Sequence, residues 1–516
     1  MSLFGELKST TMKIKKVEIK DYKAFYGLNE FNVDGKNLFI YGENGSGKSS
    51  FYYALKDFFQ SSTETLSYDE TENIFLTKAQ KGKGFIEVTF NPDKDGTATD
   101  ATYTVKKTSK NTYTSGDTSI RDAIKLKSFL TYKHLLSIHH IKKDKEIDLF
   151  ELLLKGVLKH FKSVAITGTK ELGELWDDVE IAIAKETSQA FNITAKKKEV
   201  DEAIDKFNTA FKKLFDANSI ENIMKFAQPI LDKFGHNIEI ELNYTQARPN
   251  AKYDGLERNH VRAKVKYLGK EIPKPHIFLN EARLSAIAIS IYLGMVKRHV
   301  QGIPCKVLFL DDIFIGLDIS NRLPLLEILN TDFSAYQVFI TTYDKPWYEF
   351  VRTNYLNRNH KWKCFEIYAG RTKKGFTIPV VKEIKGPGNN DHLTHFIQTS
   401  EDYHNQGDNK AAGVYLRSAF EAILKQFCFG KVTVKFTTDQ SKLKADEFWN
   451  ATKKYITAHP SPANYNLTQN TKDEIDILLP LVLNPLNHND INKNEHSSEI
   501  GRTVNILKTL RIELNV

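Results

Sequence analysis

Residues Gly42 to Ser49 read GENGSGKS and satisfy the pattern G-x-x-x-x-G-K-[ST] at every fixed position. The apolar run Asn37 to Tyr41 (NLFIY) predicts a strand leading into this stretch, and Ser50 to Phe59 predicts a helix leaving it. In that setting Gly42, Gly45 and Gly47 let the backbone curl so that its N–H groups face a polyphosphate, with Asn44 and Ser50 as further cradle positions. Lys48 is placed to reach the β- and γ-phosphates as a point charge, and Ser49 to offer its hydroxyl to Mg²⁺. A glycine-rich turn with a stray lysine accounts for the glycines but not for the strand and helix that bracket them.

Working outward, the segment Val307 to Asp312 (VLFLDD) is apolar until its last two residues. This is the pattern of a strand buried on both faces that delivers a carboxylate to its C-terminal edge. Beside a phosphate loop, Asp311 is placed to bind a water on Mg²⁺, and Asp312 to orient or deprotonate an attacking water. A second buried strand, Gln337 to Ile340, runs into TTYD. Alternation predicts strands at Lys13 to Ile19, at Phe85 to Phe90 with Thr102 to Lys106 as an antiparallel pair, at Asn237 to Asn243 and at His260 to Leu268. Trp362 to Tyr368 and Phe376 to Val381 read as a closing hairpin. Between residues 120 and 234 the pattern is helical. There Val200, Ile204, Phe207, Phe211 and Leu214 form an apolar stripe of two heptads, enough for an inserted hairpin or bundle but not for a long coiled coil.

Composition sets the outer limits. The 516 residues are 41% hydrophobic and 27% charged, which suits a folded chain of two or three domains. The three cysteines are scattered, so neither a disulfide framework nor a thiolate zinc site is indicated, and a reducing cytoplasm is the expected location. The first residues lack the apolar run of a signal peptide and no stretch reaches 18 apolar residues, so no membrane contact is expected. The net charge of +9 falls on the residues before Gly386, which is compatible with a nucleic-acid partner and equally with a solvated basic surface.

Between the helical region and the acidic strand lies Phe278 to Ser290 (FLNEARLSAIAIS). With this segment the order of motifs resembles the ABC-type ATPases of the SMC, RecF and RecN kind. Leu279 to Arg283 aligns with their LSGGE signature, Gly316-Leu317-Asp318 with their D-loop, and Asp21 to Phe25 (DYKAF) with their N-terminal loop. The resemblance covers about residues 12–385. It implies an α/β head that binds ATP and Mg²⁺ and forms a homodimer or higher oligomer, the signature of one subunit closing the phosphate loop of another. Asn280, Asp318 and Tyr343 would then be nucleotide-facing positions. Three departures accompany it: Asn280 replaces the signature serine, Glu281 and Ala282 replace the signature glycines, and Tyr343 replaces the switch histidine. No glutamine stands at the expected place in Ser128 to Lys133, and Asp312 is shorter than the usual glutamate. Slow hydrolysis, below about 10 s⁻¹, is the expectation.

Gly386 to Asn390 (GPGNN) reads as a linker, and residues 391–516 as an all-helical domain of about five helices. Arg417 and Glu421 lie four apart on one helix, and His488 stands in LNPLNHND. Here the sequence resembles the HEPN-type nuclease domains of the PrrC and RloC anticodon nucleases, in which an ABC-type head precedes the nuclease. The resemblance implies a metal-free ribonuclease site, with His488 as general acid or base, Arg417 stabilising charge on phosphate and Glu421 orienting them. An ordinary helix-surface pair explains Arg417 and Glu421 equally well. Three functions stay open: a defence switch cleaving RNA such as tRNA, a regulatory ATPase resembling the PtuA subunit of Septu and retron systems that holds a separate nuclease, and a DNA-repair ATPase of the RecF kind.

Overall fold

Alternate residues of the strands that frame the phosphate loop bury toward opposite cores. Leu38 and Ile40 pack with Val307, Phe309 and Phe339 on one side, while Phe39, Tyr41, Leu308, Leu310 and Ile340 pack on the other. That two-sided burial is why these strands are apolar without interruption. The computed structural model describes residues 12–516 except 68–69, 92–99, 113–117, 133–147, 167–169, 186–189, 258, 299–302, 355, 357–360, 373–374, 385–390, 432–444 and 484–496.

The chain divides into two compact units, Met1–Ile384 and Lys385–Val516. The first begins with β1 (Lys13–Lys20), β2 (Leu28–Asn32), β3 (Asn37–Gly42), α1 (Lys48–Gln60), β4 (Phe85–Asn91) and β5 (Ala101–Lys106). Then come α2 (Ser119–Lys125), β6 (Phe129–Thr131), a π-helical turn (Leu152–Val157), α3 (Leu172–Ala184), α4 (Ala190–Lys212) and α5 (Met224–Asp232). Next are β7 (Ile238–Thr245), β8 (His260–Tyr267), β9 (Lys270–Ile272), α6 (Pro275–Phe278), α7 (Glu281–Arg298), β10 (Val307–Asp311) and α8 (Ile319–Thr331). β11 (Gln337–Thr342), α9 (Lys345–Asn354), β12 (Trp362–Arg371) and β13 (Thr377–Ile384) complete it.

The central sheet has the order β13-β12-β3-β11-β10-β6. Its inner neighbours are parallel and only the β12–β13 hairpin is antiparallel. β3, β11 and β10 therefore end along one edge, which brings the phosphate loop, Thr341 and Asp311 together. One face of the sheet packs on α1 and a four-stranded antiparallel sheet, β2-β1-β4-β5. The other packs on α7, α8 and α9.

One reading from the sequence needs correction. β6 lies inside the stretch read as helical; three residues are too few to show a period, and only pairing beside β10 defines the strand. The inserted helices α3 and α4 pack on each other and on the head. Val200, Ile204, Phe207, Phe211 and Leu214 belong to the same continuous core as α7 and the sheet. Phe211 meets Phe150 at 5.5 Å and Tyr244 at 4.8 Å between ring centroids, so the apolar stripe of α4 faces its own head. The short strands β2 and β9 also escaped the alternation pattern.

The second unit contains α10 (Asp391–Asn405), α11 (Asn409–Cys428), α12 (Ala445–Ala458), α13 (Gln469–Leu478), a π-helical turn (Leu479–Leu483) and α14 (Ser497–Leu514). Leu416, Phe420, Ile423, Leu424 and Phe427 bury the inner face of α11 against Trp449, Ile475 and Leu507. The linker read at Gly386 to Asn390 lies outside the described residues, and so does His488.

Candidate functional site: the phosphate loop and its acidic edge

The loop turns from β3 into α1 through glycines that no other residue can replace cheaply. Gly47 adopts φ of 111°, and a Cβ there would lie 2.8 Å from Cγ of Pro379 on β13. Gly47 is also the N-cap of α1 and supplies no side-chain cap, which leaves the first N–H groups of a 13-residue helix for an anion. Gly45 has φ of 82° and open space around it, with Asn44 beside it at the exposed crest. Ser46 Oγ is buried without a hydrogen-bond partner. Ser50 Oγ accepts from the backbone N–H of Ala24 at 3.3 Å, tying the Asp21 to Phe25 loop to the cradle.

Lys48 is almost wholly buried, and its ammonium donates to the carbonyls of Gly42 at 2.6 Å and Glu43 at 3.2 Å. It also stands 3.8 Å from Asp312 Oδ2. Ser49 Oγ approaches Asp311 Oδ2 at 3.4 Å. On β11, the Thr341 hydroxyl donates to Asp311 Oδ1 at 2.6 Å and accepts from the backbone N–H of Asp312 at 3.1 Å. One hydroxyl thus ties the Asp311 carboxylate to the backbone of Asp312. It sits one residue before the end of a buried strand, where only the pairing of β11 with β10 reveals its partners.

Asp312 sits in the left-handed region at φ of 52°, a conformation that a non-glycine residue holds only when its surroundings demand it. Its Oδ1 is buried with no partner. Burial pushes its carboxyl up to about 6, assisted by Asp311; Lys48 and the backbone N–H of Tyr343 act against the rise. Tyr343 therefore contributes through its main chain, while its side chain is partly exposed.

The remaining predicted positions form a second group. Asn280 caps α7, its Oδ1 accepting from the backbone N–H of Arg283 at 3.0 Å. Asp318 caps α8, accepting from the backbone N–H of Asn321 at 3.1 Å and from Asn321 Nδ2 at 2.7 Å. Gly316 joins the two elements: a Cβ there would lie 2.7 Å from Ser285 Oγ on α7. Sequence reasoning missed Arg322. Its Nε donates to the Leu317 carbonyl at 2.7 Å and its Nη1 to Asp344 Oδ2 at 2.6 Å. Asp344 Oδ1 in turn accepts from the backbone N–H of Trp347 in α9. Arg322 thus links the loop before α8 to the loop that supplies Tyr343.

These residues fit Mg²⁺ and a triphosphate. Helix N–H groups, an ammonium and a hydroxyl from the start of α1 meet two carboxylates from the end of β10 at one edge. Among the described residues no cluster of three or more His, Cys, Asp or Glu could hold a metal alone.

In the second unit, Arg417 Nε donates to Glu421 Oε1 at 2.8 Å and Nη1 reaches the Leu483 carbonyl at 3.4 Å. His488 cannot be placed with them, since it lies outside the described residues. Among the described residues no helix is long and apolar enough to cross a membrane.

Residues 13–362 match the family described as RecF/RecN/SMC N terminal domain. No curated protein matches the chain. Among solved structures, it is similar to an SMC head bound to the C-winged helix domain of ScpA, at 13% identity over 72% of this chain and 98% of that one, with a TM-score of 0.40. A Pyrococcus furiosus Smc head domain with an extended coiled coil, bound to the C-terminal domain of ScpA, is 12% identical over 75% of this chain and 100% of that one, with a TM-score of 0.42. The SMC head domain from Thermotoga maritima is 13% identical over 72% and 99%, with a TM-score of 0.35. The family match spans more than half of the chain and contains the whole acidic edge, from Lys48 to Tyr343: this chain belongs to the RecF/RecN/SMC N-terminal domain family of ATPases.

Proposed function

We propose that the first unit binds ATP with Mg²⁺ and hydrolyses it slowly, as a switch rather than a motor. The observation that carries this reading is Asp312: a carboxylate held beside Lys48 with one oxygen unpartnered and its pKa raised toward neutrality. Such a group takes a proton from water at pH 7 more readily than an ordinary aspartate. Lys48 and the N-terminus of α1 bind phosphate oxygens, while Ser49 and Asp311 hold the cation. Mg²⁺, when bound, neutralises the charge that develops on the phosphates. Asp312 Oδ1 then accepts the proton of the attacking water as its oxygen bonds to the γ-phosphorus and the bond to the bridging oxygen breaks. Asn280, Asp318 and Tyr343 are proposed to face nucleotide held by a second subunit. All three serve local structure within one chain, which supports a composite site with weak trans contacts and hence low turnover.

For the second unit the reading is a ribonuclease effector of anti-phage defence gated by the head, with Arg417, Glu421 and His488 as its site. The support is the Arg417 contact with the Leu483 carbonyl, five residues before His488 in sequence, a span of at most about 18 Å of chain. Cells expressing the wild-type chain, His488→Ala and Lys48→Ala test it directly through total tRNA integrity and growth. Cleavage by the wild type alone supports a gated nuclease. Intact RNA in all three sinks that assignment and leaves a regulatory ATPase for a separate nuclease. DNA-stimulated hydrolysis without RNA loss would instead favour a RecF-like repair ATPase.

A further inference from the structure

A cleft of about 420 Å³ in the first unit lies between the chain that precedes α3, the turn before α5 and the end of α7. Four basic side chains line it: Lys125, His160, Lys162 and Arg298. Arg298 is the anomaly. Its side chain is 4% exposed, and its guanidinium carbon lies 3.6 Å from the centroid of the Phe161 ring. Nε and Nη1 have no hydrogen-bond acceptor. Glu221 stands 3.9 Å from Nη2, too far for a hydrogen bond. That carboxylate is already engaged, accepting from Ser163 Oγ and from the Val164 backbone N–H, each at 2.7 Å. Burial lowers the Arg298 pKa to about 10, with Glu221 opposing the fall. An aromatic face offsets only part of the cost of burying a guanidinium.

The second carboxylate of the cleft gives no relief. Glu171 accepts from His160 at 2.6 Å and pairs with Lys125 at 3.0 Å. Burial alone would raise its carboxyl, but these partners hold it at about 2. Both acids are thus occupied while Arg298 and Lys162 keep the wall basic. Val164 and Ile220, 77% and 75% exposed, supply apolar surface to the same cleft.

We propose that this cleft binds a small organic anion, its phosphate or carboxylate head set against Arg298 and Lys162 and its apolar body along Val164 and Ile220. None of these residues belongs to the phosphate-loop site, so the proposal stands apart from the ATPase reading.

The test uses the full chain carrying Lys48→Ala, which removes phosphate binding at the loop, titrated calorimetrically with hexyl phosphate and with hexanoate. Saturable binding of either probe is expected, and whichever binds tighter identifies the head group. Adding Arg298→Met should weaken it at least about tenfold. Because Arg298 is buried, the exposed Lys162→Glu provides the second variant, and it should weaken binding about threefold or more with an unchanged unfolding temperature. No binding of either probe up to about 10 mM, or equal affinity in all variants, overturns the proposal.

Discussion

The two candidate sites of this chain are built in opposite ways. At the phosphate loop, Lys48, Asp311, Asp312, Thr341 and Tyr343 come from separate stretches of sequence and meet through hydrogen bonds and an ion pair. In the helical unit, Arg417 and Glu421 are one turn apart on α11 and would meet on any helix. Convergence of distant residues demands the fold; an i,i+4 pair demands only a helix. The first arrangement therefore carries functional information that the second lacks, whatever residue types are present.

The sharpest break of that comparison is Lys48→Ala. Among the described residues, the Lys48 ammonium is the cation that contacts Gly42, Glu43 and Asp312 together. ATP turnover should fall by a factor on the order of 10³ or more, with loss of nucleotide binding by calorimetry. Unchanged turnover would remove the loop from the active site altogether.

Asp312→Asn should lower turnover about 10²- to 10⁴-fold while leaving nucleotide binding in place. In the wild type the rate should fall as pH drops through about 6, because the base becomes protonated. The same group makes a stability prediction. Its folded pKa lies above the unfolded value of 3.8, so its contribution is most favourable below pH 3.8 and is lost as pH rises through about 6. Asp312→Asn should accordingly stabilise the nucleotide-free protein at pH 8, by on the order of 1–2 kcal/mol, and have little effect at pH 4. Thermal unfolding at the two pH values decides it; equal shifts at both would mean that the carboxyl is not perturbed.

Much of this site was legible in the sequence because its chemistry is local to motifs. GENGSGKS and VLFLDD each pair an apolar strand with polar residues at its end, and both landed on one edge because parallel strands end on the same side. The contacts of Thr341 and Arg322 were not legible. A threonine ending an apolar run and an arginine in a helix are ordinary until β11 is set beside β10, and the Leu317 carbonyl beside Asp344. The partner of the inserted helix α4 was not legible either: a heptad stripe shows that a helix buries one face, not which partner it buries it against.

Thr341→Val keeps the shape of the strand and removes the hydroxyl that serves the Asp311 carboxylate and the Asp312 backbone N–H. A cost of about 1–3 kcal/mol in stability is expected, since a buried carboxylate oxygen and an N–H lose a shared partner. Turnover should also need more Mg²⁺, because Asp311 Oδ1 loses the hydroxyl that orients it. A Mg²⁺ dependence identical to wild type would show that the Thr341 hydroxyl does not position Asp311 for the cation.

The smallest expected effect is the most informative about the second unit. Glu421 is partly exposed and shares its carboxylate between Arg417 and Lys425 on the same helix. Glu421→Gln should therefore change the stability of the protein by no more than about 0.5 kcal/mol. It should leave ATP turnover untouched, since Glu421 belongs to the other unit. If RNA cleavage by the full chain nevertheless disappears in Glu421→Gln, a residue without structural weight is needed for chemistry, and the helical unit holds a site despite its local construction. If cleavage persists, or if stability falls by several times the stated amount, Glu421 is a helix pair or a packing residue. The contrast between a convergent and a merely adjacent constellation then holds throughout the chain.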